Sequence, residues 1–194
     1  MQVITKSLAA ATSFLIIFGC ERAAEPQPTA EDVGAAVKPG AVNADVTVTI
    51  TPDGAGGYSF KYSNAEGTEG NFSDEHGNLN FSDPLENHAK GHPNPAKGHP
   101  VLIRFAIADG SVDGIKFMPD GEDAMWIALA DDTGPDGSPE GPFNGDQFFN
   151  FATEAGDTRL HVSDRNNDGN DYRYALRFTL DGEPIQHDPD IKND

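Results

Sequence analysis

The feature that most constrains the fold is an alternation of apolar and polar residues, broken at short intervals by Asp-Gly pairs. It is clearest where Val46, Val48 and Ile50 are separated by threonines. Successive side chains of a β-strand point to opposite faces, so a period of two predicts strands with one buried face. The pattern recurs at residues 58–62, 101–107, 160–162 and 172–178, with shorter candidates at 79–81, 112–118, 124–129 and 147–152.

Seven Asp-Gly pairs and Asn144-Gly145 punctuate these segments; the Asp-Gly pairs begin at Asp53, Asp109, Asp113, Asp120, Asp136, Asp168 and Asp181. Such pairs tolerate positive φ and supply hairpin turns. No sustained helical stripe follows residue 20. We therefore predict an all-β domain, an antiparallel β-sandwich of about seven to nine strands that is immunoglobulin-like or cupredoxin-like, with a closed β-barrel as the alternative.

The first twenty residues are typical of a secretory signal. Lys6 precedes an apolar run at residues 8–18, which is shorter than the roughly 20 residues a membrane-spanning helix needs. The run ends in Ile17-Phe18-Gly19-Cys20, which resembles the bacterial lipobox. That resemblance implies a Cys20 carrying palmitate-type acyl chains and anchored to the inner or outer membrane of a bacterial cell envelope, with the domain in the periplasm.

The chain is thereby divided into three segments. Residues 1–19 are the lipoprotein signal peptide, and residues 20–44 are the lipidated Cys20 and a disordered tether. Residues 21–44 contain seven Ala and three Pro and no aromatic residue, a composition that buries too little apolar surface to offset chain entropy. Residues 45–194 then form one acidic β-sandwich domain.

The charge excludes one class of partner. The chain has 13 Lys and Arg against 32 Asp and Glu, a formal net charge of −19. Nucleic-acid binding needs a basic surface that neutralises phosphates, so no nucleic-acid partner is expected. The one Cys forms no intrachain disulfide, and once acylated it is not a catalytic thiol.

A calcium-loop pattern occupies Asp164-Arg165-Asn166-Asn167-Asp168-Gly169. Its oxygen-bearing side chains at alternate positions, followed by Gly, match the first half of an EF-hand loop. The twelfth position is Ala175 where an EF-hand has Glu, and strands flank the loop. Two interpretations stay open: a hairpin loop whose Asn and Asp serve turn geometry, or a Ca²⁺ site ligated by Asp164, Asn166 and Asp168 with Asp171 as an additional carboxylate.

A histidine-bearing repeat precedes the strand at 101–107. Ala89-Lys-Gly-His-Pro93 recurs as Ala96-Lys-Gly-His-Pro100. The imidazoles of His88, His92 and His99 suit Cu²⁺ or Zn²⁺. The alternative is a small duplication in a solvated loop.

A third candidate is the acidic stretch at residues 131–146, which contains Asp131, Asp132, Asp136, Glu140 and Asp146. A long loop of this kind is often functional. It is interpreted either as a solubilising loop or as a site for a divalent cation or a basic partner.

No catalytic motif is present: the chain lacks G-x-S-x-G, H-E-x-x-H, a Walker loop and G-x-G-x-x-G. We therefore predict a non-enzymatic envelope lipoprotein that needs no cofactor and binds an envelope protein or polymer. The alternatives are a metal-binding lipoprotein, with Ca²⁺ at 164–171 or Cu²⁺/Zn²⁺ at 88–99, and an envelope hydrolase that uses carboxylates.

The C-terminal region resembles the ending of small bacterial proteins grouped as the DP-EP family. The resemblance rests on Tyr172-Arg-Tyr-Ala-Leu-Arg-Phe178, Gly182-Glu-Pro184 and His187-Asp-Pro-Asp-Ile-Lys-Asn193. It implies a compact β-sandwich and transfers no active site.

Overall fold

The computed structural model describes residues 41–65, 70–82, 96 and 98–193. Cys20, His88 and His92, together with the signal peptide and most of the tether, lie outside these residues. The strands are β1 (Val42–Pro52), β2 (Tyr58–Asn64), β3 (Leu79–Asn80), β4 (Val101–Ile107), β5 (Lys116–Phe117), β6 (Met125–Leu129), β7 (Phe148–Glu154), β8 (Arg159–Asp164), β9 (Asp171–Leu180), β10 (Glu183–His187) and β11 (Asp190–Lys192). The one helix among the described residues, α1, is a single turn (Gly121–Ala124).

The predicted all-β sandwich is confirmed. One sheet has five strands in the order β2-β1-β4-β8-β7. The other has six strands arranged around β9, which pairs with β6 and β5 along one edge and with β11 and β10 along the other. β3 continues this sheet beyond β11, and neither sheet closes on itself in the described residues.

The sheets are mixed, which differs from the antiparallel arrangement that we predicted. β1 pairs with β4 in parallel, and β11 pairs with β3 in parallel. The described residues also contain eleven strands, more than the predicted seven to nine. The chain between β1 and β4 passes through strands of both sheets before it returns, so two strands distant in sequence come to run side by side in the same direction.

The core lies between the inner faces of the two sheets. Val46, Val48 and Ile50 of β1 are at most 1% exposed, as the alternation predicts. Across the interface, the rings of Phe105 and Tyr174 lie 5.8 Å apart between centroids. Removing this apolar surface from water is the main source of the domain's stability.

Strand β1 begins before the predicted start of the domain at residue 45. Val42 and Ala44 are already buried in it, and Val42 lies opposite Val101 of β4. These residues share the phase of Val46, so the buried alternation extends back into the segment that composition assigned to the tether.

The Asp-Gly pairs take more than one role. Asp181 and Gly182 both have positive φ, 53° and 87°, and form the hairpin turn between β9 and β10 as predicted. Asp120, in contrast, caps α1 by accepting a hydrogen bond from the Glu122 amide. Gly121 follows it because a Cβ there would lie 2.5 Å from the backbone at Phe151.

Candidate functional site

The calcium-pattern loop and the acidic stretch meet at one end of the sandwich. Val101 lies opposite Asp164, so β8 ends where β4 begins. The loop after Asp164 leads directly into β9, which starts at this same end. Two features separated in the sequence therefore form the two walls of one depression, which we call the end cleft.

The end cleft has a volume of about 730 Å³. Among the described residues, its charged lining consists of four carboxylates and one guanidinium, those of Asp132, Glu140, Asp146, Asp168 and Arg165. Asp131 and Asp136 of the acidic stretch do not line it. The excess of negative charge produces an electrostatic potential in the cleft that attracts cations and repels anions.

Arg165 forms hydrogen bonds and a ring contact with residues in the wall of the cleft. Its Nε donates a hydrogen bond to the Asp146 carbonyl oxygen at 2.5 Å, and its backbone amide donates to the Gln147 carbonyl at 3.0 Å. Its guanidinium also lies over the Phe149 ring, 5.1 Å from the centroid. Arg165 thus ties the two walls together and leaves most of the cleft's negative charge unbalanced.

The floor of the cleft is aromatic. Phe143 and Phe148 meet edge to face at 5.1 Å between centroids, and Phe148 and Tyr172 do so at 4.9 Å. Phe143 and Tyr172 line the cleft, together with Leu129, which is 45% exposed. Carboxylates around an aromatic floor suit a ligand group with an apolar stem and a cationic head.

Asp164 is fully buried behind this wall. Its Oδ1 accepts hydrogen bonds from Gln147 Nε2 and the Asn166 amide, both at 2.8 Å, and from Asn193 Nδ2 at 3.3 Å. Burial is the main cause that raises the pKa of Asp164 to about 7; the nearby Asp168 charge acts in the same direction, and the hydrogen bonds from Asn166 and Gln147 act against both. The Asp164 carboxyl group therefore gains or loses its proton near neutral pH.

Asn166 is also fully buried, and it joins the loop to the chain before β4. Its Nδ2 donates to the carbonyl oxygens of Ala96 at 2.6 Å and His99 at 3.2 Å. Its backbone has a φ of 47°, a conformation that Asn adopts more readily than other non-glycine residues. The Asn166 side chain thus serves turn geometry and interior hydrogen bonding.

We expect Asn166→Ala to lower the free energy of unfolding by about 2–3 kcal/mol, because it removes a buried donor and places Ala in the left-handed region. Asn166→Gly is the matched variant. It removes the same hydrogen bonds without the backbone cost, so it should be less destabilising by about 1 kcal/mol. Urea unfolding measures both. Equal stability of Asn166→Ala and the wild-type chain would contradict these roles of the Asn166 side chain.

The two remaining predicted calcium ligands, Asp168 and Asp171, differ in position, because Asp168 lines the cleft and Asp171 does not. Asp168 faces the cleft, and its carboxylate accepts hydrogen bonds from the Tyr172 hydroxyl and from the Asn170 amide and side chain. Asp171 begins β9, opposite Lys192, and is exposed. Asp164 and Asp168 are therefore the two acids of the motif that share one environment.

The histidine repeat is described only in its second half. His99 is exposed, and its amide donates to the Ala96 carbonyl at 3.0 Å. Within the described part of the chain, no group of three or more His, Cys, Asp or Glu side chains is arranged to hold a metal ion. The transition-metal hypothesis for His88, His92 and His99 stays a prediction.

Two further residues contact Asp164 but belong to no recognisable sequence motif. Gln147, 6% exposed, follows the acidic stretch, and Asn193, 4% exposed, follows β11. Both donate to Asp164. Of the six buried polar residues in the described part of the chain, Gln147, Asp164, Asn166 and Asn193 thus form one connected cluster behind the cleft.

A separate polar contact lies on another part of the domain. The Tyr62 hydroxyl is 2.9 Å from His187 Nδ1, and the His187 ring stacks on Phe60 with 4.5 Å between centroids. Burial lowers the pKa of His187, so the ring is held neutral and packs as an aromatic group. This contact fastens β2 to β10.

Comparison with models of protein families and with curated proteins gives no match for this chain. The resemblances to the lipobox and to the DP-EP family stay predictions. Among the described residues no helix has the length and apolar character required to cross a bilayer.

Proposed function

We propose that the chain is a non-enzymatic lipoprotein of the bacterial cell envelope, anchored through Cys20, whose β-sandwich binds a cationic partner in the end cleft. The partner's Lys or Arg side chains enter the cleft. The observation that carries this proposal is the cleft lining, in which four carboxylates face one arginine that is already engaged.

The chemistry of the lining supports a Lys- or Arg-bearing protein segment. Carboxylates on the walls receive the charged heads, and the rings of Phe143 and Tyr172 receive the aliphatic stems. Loops at the end of a rigid sandwich are also where binding residues concentrate. The net charge of −19 favours fast encounter with a basic partner and disfavours an anionic one.

Neutralising the cleft is expected to weaken binding of a Lys/Arg-rich peptide about tenfold. The variant combines Asp132→Asn, Glu140→Gln and Asp146→Asn, and each exposed ion pair contributes up to about 1 kcal/mol. Fluorescence anisotropy of a labelled peptide with the full chain measures the change in Kd.

The matched control removes three exposed carboxylates at the opposite end of the sandwich, Asp109, Asp113 and Asp181, by substitution to Asn. Because it has the same net charge as the cleft variant, it separates a local site from general attraction to an acidic protein. Affinities that fall equally in the two variants would contradict a site in the end cleft.

A further inference from the structure

Two buried side-chain oxygens behind the end cleft receive no hydrogen bond in the described part of the chain. They are Asp164 Oδ2 and Asn193 Oδ1, on residues that are 0% and 4% exposed. Buried polar atoms are nearly always paired, so two such oxygens in one cluster point to a ligand that carries positive charge.

The two oxygens belong to side chains that touch each other. Asn193 Nδ2 donates to Asp164 Oδ1 at 3.3 Å, and the Asn193 amide donates to the Asn170 carbonyl at 3.2 Å. The Gln147 side chain and the Asn166 backbone amide both donate to Asp164 Oδ1, and these hydrogen bonds fix the orientation of the carboxylate. The other carboxylate oxygen, Oδ2, accepts none of these hydrogen bonds and is therefore the atom that a cation would contact.

The environment supplies negative charge and oxygen atoms together. Asp168 lies close enough for its charge to act on Asp164, and Asp168 Oδ1 accepts a hydrogen bond from the Asn170 backbone amide at 3.2 Å. Carboxylate and amide oxygens are the ligands that hard divalent cations prefer, with waters completing the six to eight positions around Ca²⁺.

We propose that this cluster binds Ca²⁺ through Asp164 Oδ2 and Asn193 Oδ1, with the Asp168 carboxylate supplying the second negative charge. The ligand set differs from the one that the sequence pattern predicts. The side-chain amide of Asn166 donates to backbone carbonyls, and Asp171 is exposed at the start of β9. Asn193, which the pattern does not include, follows the end of β11. Asp132, Glu140 and Asp146 line the cleft and are not ligands of the proposed ion, so they remain available to the partner of the end cleft.

The bound ion joins the residue that follows β11 to the loop between β8 and β9. This loop carries Asp168, which lines the cleft, so the ion also fixes one wall of the cleft. Calcium binding is expected to protect the amides of residues 165–170 and 193 against hydrogen exchange more than amides elsewhere.

The test is a titration of the full chain with Ca²⁺ up to about 10 mM, above the Kd of about 10⁻⁴–10⁻³ M typical of extracellular calcium modules. At ten times Kd, the Tm of the wild-type chain should rise by roughly 3–6 °C. Tb³⁺ luminescence excited through the tyrosines, with competition by Ca²⁺, gives a second readout that does not depend on stability.

Asp164→Asn removes the negative charge of one proposed ligand, and Asn193→Ala removes the other ligand's oxygen. Each variant should lower the Ca²⁺ and Tb³⁺ affinity at least about tenfold. Asp171→Asn removes the same charge from the same motif and should keep wild-type affinity. A wild-type chain that gives no Tm rise and no Tb³⁺ signal overturns the proposal. Retention of both responses in Asp164→Asn, or their equal loss in Asp171→Asn, overturns it as well.

Discussion

Between about pH 4 and about pH 8, with calcium chelated, the wild-type chain is expected to lose about 4 kcal/mol of unfolding free energy relative to Asp164→Asn. Burial raises the pKa of Asp164 from 3.8 to about 7. Each pKa unit corresponds to about 1.4 kcal/mol, and this carboxyl is fully buried, so solvent does little to screen the effect.

The direction follows from which state holds the proton. Between pH 3.8 and about 7 the folded chain keeps a proton that the unfolded chain has released. The stability that this proton contributes is fully present below the unfolded pKa and is lost as the pH rises through the folded pKa. Asn carries no titrating proton at this position, so the variant lacks this part of the pH dependence.

Urea unfolding of both chains across this pH range measures the difference. His161 and His187 have pKa values lowered by burial, so they destabilise both chains as the pH falls below about 6.5. Their contribution cancels when the two curves are subtracted. Curves that run parallel from pH 4 to pH 8 would show that Asp164 does not titrate as its burial requires.

Replacing Cys20 by Ser is expected to abolish incorporation of radiolabelled palmitate and to release the protein from the membrane fraction. The lipobox resemblance implies that the acyl chains are attached to this residue, and the sequence has no second Cys. Each buried CH₂ contributes about 0.8 kcal/mol to anchoring, so the loss of all acyl chains removes nearly the whole membrane affinity.

Cells that express the wild-type chain or Cys20→Ser, labelled with palmitate and fractionated, provide this test. A second variant, Ile17→Asp, disrupts the processing signal while keeping Cys20, and it should also lose the label. Label retained in Cys20→Ser would refute acylation at this position.

The fold was predictable where strands alternate strictly. β1, β4 and β9 follow from the phase of their apolar residues, because one face of each packs in the core. β10 and β11 escaped prediction: Pro184 and Pro189 interrupt the segment, and it contains few apolar residues. Parallel pairing of β1 with β4 escaped as well, because alternation indicates which face is buried and not which strand lies alongside.

The site was predictable in parts and not as a whole. The acidic stretch and the Asp164 loop carry recognisable composition, but only the positions of β8 and β9 bring them to one cleft. Asn193 is a polar residue at the end of a charged segment, a context typical of exposed residues. Its burial depends on β11 pairing with β9, a tertiary contact that no local pattern indicates.

Binding of a cationic partner in the end cleft is tested most directly by NMR titration of the isotope-labelled full chain with the Lys/Arg-rich peptide, because amide shifts locate the contact. We expect saturable shifts concentrated at residues 129–147 and 165–172, with little change in the loops at 53–57 and 109–114. Shifts distributed over both ends of the sandwich, or concentrated at the opposite end, would contradict binding in the end cleft.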